Sequence, residues 1–485
     1  MTLYFDSDYD VLFKNADDIK NKWKKTLLER SEPSIENVYK VHNIILNYCR
    51  EKKRKLYGGL ALHMLLYDKD KTKGLYEKDR IPPPDIDIYT PEPIEDMFYV
   101  TNMLYKEGYK YVRGEEALHG ETYKIFYYKI GICDFSYVPK NVYNRIPFIA
   151  IDGINCVHPN FMTIDYLRML SNPISSYWRF FEEANLKAFK RLLNLQKEYP
   201  LPVIKDTLIP VKPNKSGKVY ELIYNFLLNR KSTVIIGFYA YNYFAMAADK
   251  KIIDVSFYEF ISVNYKEDCK ELIDTLKEEF GDKITFIEFY PFFQFADYSI
   301  QIYLNNELVC HVYDHNKVCI PYQDQNAYKF IGSTASKING SICLGTFTLV
   351  LLYTLISAQR SRTLENNERE KFYYHMASKL IQNKNDYFEK NNKNFLDNTV
   401  FQHFIIDCVG EELTTEKMNR LKIEKRKKQG VPAILRYVPQ DKFREGPNSK
   451  FVFLNTSGNE INNPSNLKVY RKKSNKKEII ADEEQ

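Results

Sequence analysis

Length and composition set the first limits on this protein. The chain has 485 residues, of which 44% are hydrophobic and 15% aromatic, so it can bury large cores and is not a disordered polymer. Its length predicts about two to four domains. The formal net charge of +7 is modest for this length and does not by itself indicate a nucleic-acid-binding protein, because the distribution of charge matters more than its sum.

The N-terminal segment and the cysteines indicate a compartment. The segment MTLYFDSDYDVLFKNADD is acidic and interrupted by charges, which is unlike a secretion signal. Eight cysteines without a CxxC pair predict free thiols in a reducing environment. The uncharged stretch from Ile338 to Gln359 contains Asn339 and Gly345, which favours a buried helix over a membrane span. We therefore expect a soluble intracellular protein without a membrane anchor.

The first strongly patterned element is a helix that leads into a glycine turn. Apolar residues recur at helical spacing at Ile35, Val38, Val41, Ile45 and Tyr48. A short strand ending at Tyr57, a turn at Gly58-Gly59 and a second helix beginning near Leu60 are predicted next. Glycines at a strand-to-helix turn let backbone N–H groups approach a phosphate, and a helix N-terminus favours negative charge. Gly58 and Gly59 are therefore candidate nucleotide-binding residues.

The next predicted strand, DIDIY, carries two carboxylates. Alternation places Asp85 and Asp87 on one face of the strand and Ile86 and Ile88 on the other. Two carboxylates on one face repel each other unless solvent or a cation separates them. Alone, a DID strand is commonly a solvated edge. A divalent metal becomes the favoured interpretation when the rest of the chain supplies a third acid.

That third acid lies on a later strand. A helix is predicted from Pro93 to Gly108, followed by two strands around Gly131, the second of which carries Asp134 between buried-type residues. Three carboxylates can hold two Mg²⁺ ions, which prefer oxygen ligands and bridge to phosphates. Two such ions support in-line displacement at phosphorus. The glycines and three aspartates together predict nucleotidyl transfer, in which a hydroxyl attacks an α-phosphate and pyrophosphate leaves.

The chain also repeats itself. The segment from Val38 resembles the segment from Val219, and Gly58 corresponds to Gly237. The repeat predicts a duplication of domain-sized units. The predicted boundaries are an N-terminal segment, a catalytic domain, a proline-containing linker, a second domain, and a C-terminal basic region with a tail: 1–33, 34–200, 201–214, 215–390 and 391–485.

The second copy is predicted to lack the carboxylates. ISVNY, residues 261–265, is the predicted counterpart of DIDIY, and VCHVYD that of ICDFSY. In that order, Ile261, Val263 and His311 then replace the three aspartates, and Phe238 replaces Gly59. Such a set cannot hold two hard cations. We expect the second copy to keep the fold and not the chemistry.

Two other clusters are candidates for binding. Between Lys417 and Arg436 eight basic residues stand against one Glu, which indicates either RNA contact or a solvated helix face. The RNA-binding candidates are Lys425, Arg426, Lys427 and Lys428. A second group could suggest zinc, but its spacing does not match common structural zinc sites: Cys310, His311, His315 and Cys319.

The ordered motifs resemble a known family. Gly-Gly, Asp-Ile-Asp-Ile and a later Asp resemble the DNA polymerase β-type nucleotidyltransferase superfamily. YGGLALHMLL, PPPDIDIYTP, ICDFSYVP and INCVHPNFMTIDYLRMLSNP resemble the poly(A) polymerase catalytic subunits of large cytoplasmic DNA viruses, the giant-virus enzymes most and the poxvirus subunit more distantly. The spacer between Gly59 and Asp85 is longer than most of the superfamily uses. The resemblance spans about residues 34 to 390.

The resemblance implies a fold and site roles. The fold is α/β (α+β), with two tandem nucleotidyltransferase-like modules, each a small mixed sheet packed with helices, the second degenerate. Gly58 and Gly59 match the phosphate-cradling turn, Asp85 and Asp87 the paired metal ligands, and Asp134 the third carboxylate. The implied cofactor is Mg²⁺ or Mn²⁺.

The implied activity is template-independent polyadenylation of mRNA 3′ ends, with AMP transferred from ATP to the 3′-hydroxyl of single-stranded RNA. The resemblance also implies a homodimer located in the host cytoplasm, at the viral factory, or in the virion. Two alternatives stay open at this point: another RNA-tailing or oligonucleotide-forming nucleotidyltransferase, and a catalytically inactive RNA-binding scaffold. The intact aspartates argue against the scaffold.

Overall fold

The computed structural model describes residues 3–30, 32–77, 80–117, 121–172, 174, 176, 186–201, 217–315, 319–405, 407–411, 414–428, 430, 434–439, 451–454 and 460–461. The chain forms two compact units. Unit 1 comprises Met1–His158 and Asn419–Gln485, and unit 2 comprises Pro159–Met418. The predicted domain boundaries given above stay a prediction.

Unit 1 alternates helices and strands along its first 158 residues. Its helices are α1 (Asp6–Arg30), α2 (Ile35–Lys52), α3 (Gly58–Lys69), α4 (Pro93–Lys106) and α5 (Lys140–Arg145). Its strands are β1 (Lys55–Tyr57), β2 (Ile86–Thr90), β3 (Val112–Glu116), β4 (Thr122–Tyr127), β5 (Ile130–Tyr137), β6 (Phe148–Ile151) and β7 (Ile154–Val157).

Unit 2 has the same alternation, and two long helices follow its long hairpin. Its helices are α6 (Pro159–Leu170), α7 (Lys187–Glu198), α8 (Gly217–Leu227), α9 (Gly237–Ala247), α10 (Tyr265–Phe280), α11 (Phe347–Thr363) and α12 (Asn367–Asn391). Its strands are β8 (Thr233–Ile236), β9 (Tyr258–Ser262), β10 (Ile284–Phe289), β11 (Ser299–Leu304), β12 (Glu307–Asp314), β13 (Ile320–Ile331), β14 (Thr334–Gly345) and β15 (Cys408–Val409).

The last described elements return to unit 1. They are α13 (Thr415–Lys428), β16 (Ile434–Tyr437), β17 (Phe451–Leu454) and β18 (Glu460–Ile461). The strand order in this sheet is β18-β17-β16-β3-β4-β5-β2-β1-β7-β6. β16 is antiparallel to β3, with Tyr437 opposite Gly114. The Tyr437 hydroxyl donates to Asn102 Oδ1 at 2.6 Å. The C-terminal strands therefore extend the sheet that the first part of the chain begins.

The sheet of unit 2 repeats the central part of the unit 1 sheet. Its order is β10-β11-β12-β9-β8-β14-β13-β15, so β12, β9, β8 and β14 take the places of β5, β2, β1 and β7. The strand directions agree as well: β2 is parallel to β5 and antiparallel to β1, and β9 is parallel to β12 and antiparallel to β8. Two mixed sheets packed with helices confirm the predicted fold class and the duplication.

A buried hydrogen-bonded ion pair ties strand to helix in unit 1. Thr90 Oγ1, at the end of β2, donates to Asp96 Oδ2 in the first turn of α4 at 2.6 Å. Arg54 Nη2, just before β1, lies 2.6 Å from the other Asp96 oxygen. The carboxylate also favours the N-terminus of its helix. This triad fixes the direction in which the chain leaves β2.

Unit 2 contains the same triad at corresponding places. Ser262 Oγ donates to Asp268 Oδ2 at 2.6 Å, and Arg230 Nη1 lies 2.7 Å from Asp268 Oδ1. Because a polar contact is repeated as well as an apolar pattern, Ser262 is the counterpart of Thr90 in the second copy. This correspondence fixes how the sequence of β9 aligns with that of β2.

Two expectations about particular segments are corrected. Cys319 and Cys408 form a disulfide between the start of β13 and β15, so the prediction of free thiols throughout is wrong. The two residues are 89 positions apart, and only the pairing of β13 with β15 brings them together. The free cysteines are all buried: Cys49, Cys133, Cys156, Cys269, Cys310 and Cys343.

The uncharged stretch from Ile338 to Gln359 is not one helix. Its first part completes β14 and its second part lies in the buried helix α11. Thr346 separates them, because its Oγ1 accepts a hydrogen bond from Leu349 N and caps the helix. The buried helix is thus confirmed for the second part only. In the part of the chain that the structure describes, no helix is long and apolar enough to cross a membrane.

Candidate active site

Strand pairing brings the three predicted aspartates to one region of unit 1. Asp87 lies in β2 and Asp134 in β5, and the two are direct partners in the parallel register. Ile86 and Ile88 are fully buried, so the intervening carboxylate points away from that core face. Asp85 precedes the strand and is exposed. Asp87 and Asp134 thus lie side by side on two central strands of the sheet, and Asp85 lies just before β2.

The glycine turn lies against the Asp87 carboxylate. Gly58 begins α3 with φ +70°, and a Cβ at this position would lie 2.1 Å from Asp87 Oδ2. Both the backbone conformation and the lack of space therefore require glycine here. Gly59 is buried in the first turn of α3. The structure places the N-terminus of this helix directly beside the Asp87 carboxylate.

Within the described part of the chain, no side chain caps the N-terminus of α3. Its N-cap residue, Tyr57, has an extended backbone and makes no side-chain capping hydrogen bond. The Tyr57 hydroxyl instead lies 2.7 Å from Ser136 Oγ, and its ring stacks on Tyr89 at 3.7 Å between centroids. The first turn contains no acidic residue. An anion such as a phosphate group fits a helix end of this kind.

Burial and a lysine control the charge of Asp134. Burial raises the pKa of Asp134 to about 6, while the Lys124 ammonium lowers it and the Asp85 carboxylate raises it. Lys124 Nζ lies 3.1 Å from Asp134 Oδ1. Burial lowers the pKa of Lys124, but Asp134, Asp85 and Asp87 outweigh that effect, and the pKa is raised overall. All three carboxylates therefore act electrostatically on the Lys124 ammonium.

The donor set fits divalent metal ions. Among the described residues Asp134 Oδ1 is a buried oxygen without a well-directed hydrogen bond, and three carboxylates are the hard oxygen ligands that Mg²⁺ and Mn²⁺ prefer. In the geometry of the described residues, no three His, Cys, Asp or Glu side chains stand close enough to form a ready metal cluster. Instead, a lysine ammonium stands beside Asp134. The zinc alternative also has no such cluster within the same described ranges, and its Cys319 is disulfide-bonded.

Sequence reasoning missed Lys124. The residue lies in β4, directly opposite Asp134 in the antiparallel β4–β5 pair. Alternation within TYKIFY would have placed Lys124 on the same face as its partner once the hairpin register was known. The turn falls at Tyr128 and Lys129, between β4 and β5, and not at Gly131. Because the turn was expected at Gly131, the pairing of Lys124 with Asp134 was not predicted.

The predicted alignment of the second copy is wrong in β9. Gly237 has φ +63°, and a Cβ there would lie 2.2 Å from Glu259 Oε2, so Glu259 stands where Asp87 stands in unit 1. Glu259 is also the parallel partner of His311, just as Asp87 is the partner of Asp134. Glu259, and not Val263, is therefore the counterpart of Asp87, and Ile261 is not the counterpart of Asp85. His311, Gly237 and Phe238 occupy their predicted places.

One carboxylate therefore survives in unit 2, in a closed setting. Glu259 is 3% exposed. Burial raises its pKa to about 8, although Arg369 and a hydrogen bond from Tyr313 act in the opposite direction. Burial, Arg360 and Arg369 lower the pKa of His311. A protonated acid beside a neutral imidazole cannot replace three ionised carboxylates as ligands for two hard cations, so the second module is degenerate.

The four basic candidates in α13 do not form one surface. Arg426 makes two hydrogen bonds to Glu116, at 2.6 and 2.7 Å, and that carboxylate is 4% exposed. Lys422 also contacts Glu116, at 2.7 Å. Lys425, Lys427 and Lys428 are exposed. Arg426 anchors the helix on β3, and the three lysines remain candidates for a nucleic-acid backbone.

Comparison with known proteins gives the family. A family model described as "Poly(A) polymerase catalytic subunit" matches residues 43–176. A second, described as "APMV, Putative poly(A) polymerase, catalytic subunit, C-terminal", matches residues 194–471. The chain is 33% identical to the "Putative poly(A) polymerase catalytic subunit" of Acanthamoeba polyphaga mimivirus, with 96% of this chain and 84% of that protein covered.

Two further relatives agree. The protein of the same name from African swine fever virus (strain Badajoz 1971 Vero-adapted) is 26% identical, with 45% of this chain and 43% of that protein covered. The crystal structure of the Megavirus polyadenylate synthase matches with a TM-score of 0.82 and 31% sequence identity, covering 96% of this chain and 94% of that chain.

The fold and the relatives define the class as a viral transferase built on two nucleotidyltransferase-like modules. The chain belongs to the family of viral poly(A) polymerase catalytic subunits. It is a polynucleotide adenylyltransferase of that family.

Proposed function

We propose that the site in unit 1 transfers AMP from ATP to the 3′-hydroxyl of single-stranded RNA, without a template and with release of pyrophosphate. The observation that carries the proposal is the register that sets Asp87 beside Asp134, with Gly58 packed against Asp87 at the start of α3. Acidic ligands and a phosphate-binding helix end meet there. Polyadenylation in general follows from the family, and the reaction course is our inference.

Each residue has a defined role in this proposal. The backbone N–H groups at Gly58 and Gly59 bind the triphosphate, and the positive end of the helix dipole favours its charge. Asp85, Asp87 and Asp134 hold Mg²⁺ or Mn²⁺. When bound, such ions lower the pKa of an attacking hydroxyl and stabilise the leaving oxygen. Asp134 must be ionised to serve as a ligand, which burial opposes and Lys124 favours.

We assign RNA binding to exposed lysine side chains near the same sheet. Lys425, Lys427 and Lys428 lie on α13, which Arg426 fixes to Glu116 of β3. Exposed lysines on a fixed helix bind a phosphate backbone through charge, without reading bases. Adenine selectivity is carried by the family and not by a residue identified in the structure. The homodimer, and a location in the host cytoplasm or virion, stay proposals.

The decisive experiment offers each of the four nucleoside triphosphates with a short RNA and Mg²⁺. We expect a ladder of extended products with ATP alone. Asp85→Asn and Asp87→Asn should each reduce extension on the order of a hundredfold or more, because metal ions stabilise charge that develops in the transition state. Folding should survive, since Asn has the same shape.

The matched control is Asp152→Asn. Asp152 is an exposed acid in the turn between β6 and β7, so it undergoes the same chemical change away from the site. Extension within threefold of the parent for both Asp85→Asn and Asp87→Asn would refute the assignment. Ladders with all four triphosphates would favour a general RNA-tailing enzyme, and no extension at all would favour an RNA-binding scaffold.

A further inference from the structure

Lys124 has a position that the proposed reaction does not yet explain. It is the direct antiparallel partner of Asp134, and its ammonium lies 3.1 Å from Asp134 Oδ1. Its side chain is 29% exposed, compared with 16% for Asp134. Asp85 and Asp87 act on the same ammonium. A fixed monovalent cation therefore lies at the buried oxygen that a metal ion would also use.

Charge makes these two occupants exclusive. The three carboxylates that act on Lys124 repel each other, and the lysine ammonium offsets part of that repulsion. A divalent ion at Asp134 would in turn be repelled by an ammonium in contact with the same oxygen, and only weak screening acts between partly buried charges. The protein can satisfy Asp134 with the lysine or with the ion.

The Lys124 side chain has a methyl-sized gap beside it. Gly131 of β5 faces the Lys124 stem, and a Cβ at Gly131 would lie 3.4 Å from Lys124 Cδ and 3.7 Å from Nζ. Because glycine has no side chain, a methyl-sized gap lies between Gly131, the Lys124 stem and the Phe126 ring, whose Cε1 would lie 3.8 Å from that Cβ. A register shift between Ile125 and Phe126 lies just beyond the lysine in the same hairpin. Rotation of the stem toward Gly131 would take the ammonium off Asp134 without moving the strands.

We propose that Lys124 is a positioning residue that competes with the divalent ion for Asp134. It holds the third carboxylate when no ion is bound and releases it on binding, so its charge weakens the affinity of the site for metal. This inference rests on the proposed function, because it requires an ion at the three aspartates. It adds a residue that tunes occupancy of the site without being a ligand.

Mn²⁺ binding, measured by electron paramagnetic resonance without ATP or RNA, tests the proposal. Lys124→Met removes the charge and keeps the length of the side chain. At pH 8, well above the pKa of Asp134 of about 6, we expect it to bind Mn²⁺ about tenfold more tightly, which is the lower end of the effect of an adjacent opposite charge on the proton affinity of a carboxylate. Lys124→Arg should bind close to the parent value. Lys129→Met changes an exposed lysine in the same hairpin and should change nothing.

Thermal unfolding separates this role from a structural one. Lys124→Met should unfold at a lower temperature than the parent without ion, and saturating Mn²⁺ should raise its midpoint by more than it raises the parent's. If Lys124→Met does not fold, Lys124→Gln, which keeps a neutral donor, carries the same expectation. Unchanged or weaker Mn²⁺ affinity in a folded, uncharged variant overturns the proposal.

The parent and one further variant distinguish the two levels of inference. If the parent binds no Mn²⁺, or Asp85→Asn binds it as well as the parent does, the metal site itself is refuted. If Asp85→Asn loses binding while Lys124→Met binds like the parent, only the competition between lysine and ion is refuted.

Discussion

Glu259 occupies in unit 2 the position that Asp87 occupies in unit 1. Each lies on the strand opposite the residue before a glycine with positive φ, and each would collide with a Cβ on that glycine. The two carboxylates differ in surroundings. Asp87 is half-buried beside other acids, whereas Glu259 is buried near Arg369 and Tyr313. Duplication preserved the position of the acid and changed what surrounds it.

The contact between Gly58 and Asp87 predicts the effect of one methyl group. Gly58→Ala forces an unfavourable φ and puts Cβ against Asp87 Oδ2, so it should abolish most of the extension activity and cost on the order of 1–3 kcal/mol of stability. Gly153→Ala is the matched control, because Gly153 has φ +77° and only ordinary contacts. It should lose stability and keep activity. RNA extension and thermal unfolding are measured together, and equal activity in both variants would contradict the argument.

The raised pKa of Asp134, about 6, predicts pH-dependent metal binding. Below that pH the carboxyl holds a proton that a metal must displace, so Mn²⁺ affinity should fall as pH falls through 6, by about tenfold per pH unit if one proton is released. Electron paramagnetic resonance between pH 5 and 8 measures it. Asp134→Asn should bind weakly with little pH dependence, and Asp152→Asn should follow the parent. A pH-independent parent would show that Asp134 is not a ligand.

Glu259 should make unit 2 less stable at high pH. Its folded-state pKa is about 8, above the ordinary value of 4.5, so the folded state binds more protons than the unfolded state between these values. Stability therefore falls as pH rises from about 4.5 to 8, by on the order of 4 kcal/mol in total. Glu259→Gln cannot ionise. The difference between its unfolding temperature and that of the parent should therefore be more in favour of the variant at pH 8.5 than at pH 5.5.

The control for that comparison is Glu307→Gln, at an exposed position of β12 in the same unit. It should keep the pH dependence of the parent. Identical pH dependence in Glu259→Gln and the parent would mean that Arg369 and Tyr313 hold this carboxylate ionised despite its burial.

The exposed lysines of α13 predict salt-dependent RNA binding. Replacing Lys425, Lys427 and Lys428 together by Gln should weaken RNA binding and reduce the slope of log affinity against log salt by about 2, from three contacts to single-stranded nucleic acid. Stability and ATP affinity should be unchanged. Binding of a labelled RNA at several salt concentrations measures the slope, and an unaltered slope would leave these lysines as a solvated helix face.

Arg426 should behave differently from its neighbours. Arg426→Gln leaves the buried Glu116 carboxylate with Lys422 as its remaining cation in α13, which should cost on the order of 2–4 kcal/mol. Burial raises the pKa of Glu116, but Arg426 and Lys422 outweigh it and lower the pKa overall. Thermal unfolding measures the loss, with Lys425→Gln as the neighbouring control. A variant as stable as the control would show that the pair contributes nothing.

Much of the site in unit 1 is readable from sequence because it is local. A glycine pair, an alternating DID strand and a later acid each carry their own pattern. The register of β9 was not readable in this way. Tyr258, Glu259 and Phe260 lie in a strand that is buried on both faces, so no alternation marks the acid. The predicted alignment therefore chose ISVNY as the counterpart of DIDIY, which is too far toward the C-terminus.

The remaining misses depend on which elements pair. Lys124 became visible only with the hairpin register, the Cys319–Cys408 disulfide only with β15 placed beside β13, and the role of Arg426 only with Glu116 of β3 opposite it. Contacts separated by more than three hundred residues leave no periodic trace in the chain. Composition and spacing describe faces of elements, and they do not describe which elements meet.

The return of β16 to the edge of β3 has a consequence during synthesis. A ribosome that has made Asp134 must translate about 300 more residues before Ile434 emerges, which takes about 15 to 60 s at typical rates. Until then β3 is an open edge that can pair with other nascent chains. A polypeptide interrupted within unit 2 would carry all three aspartates and still leave that edge uncovered. Only chains translated past Tyr437 can therefore cover this edge of the sheet.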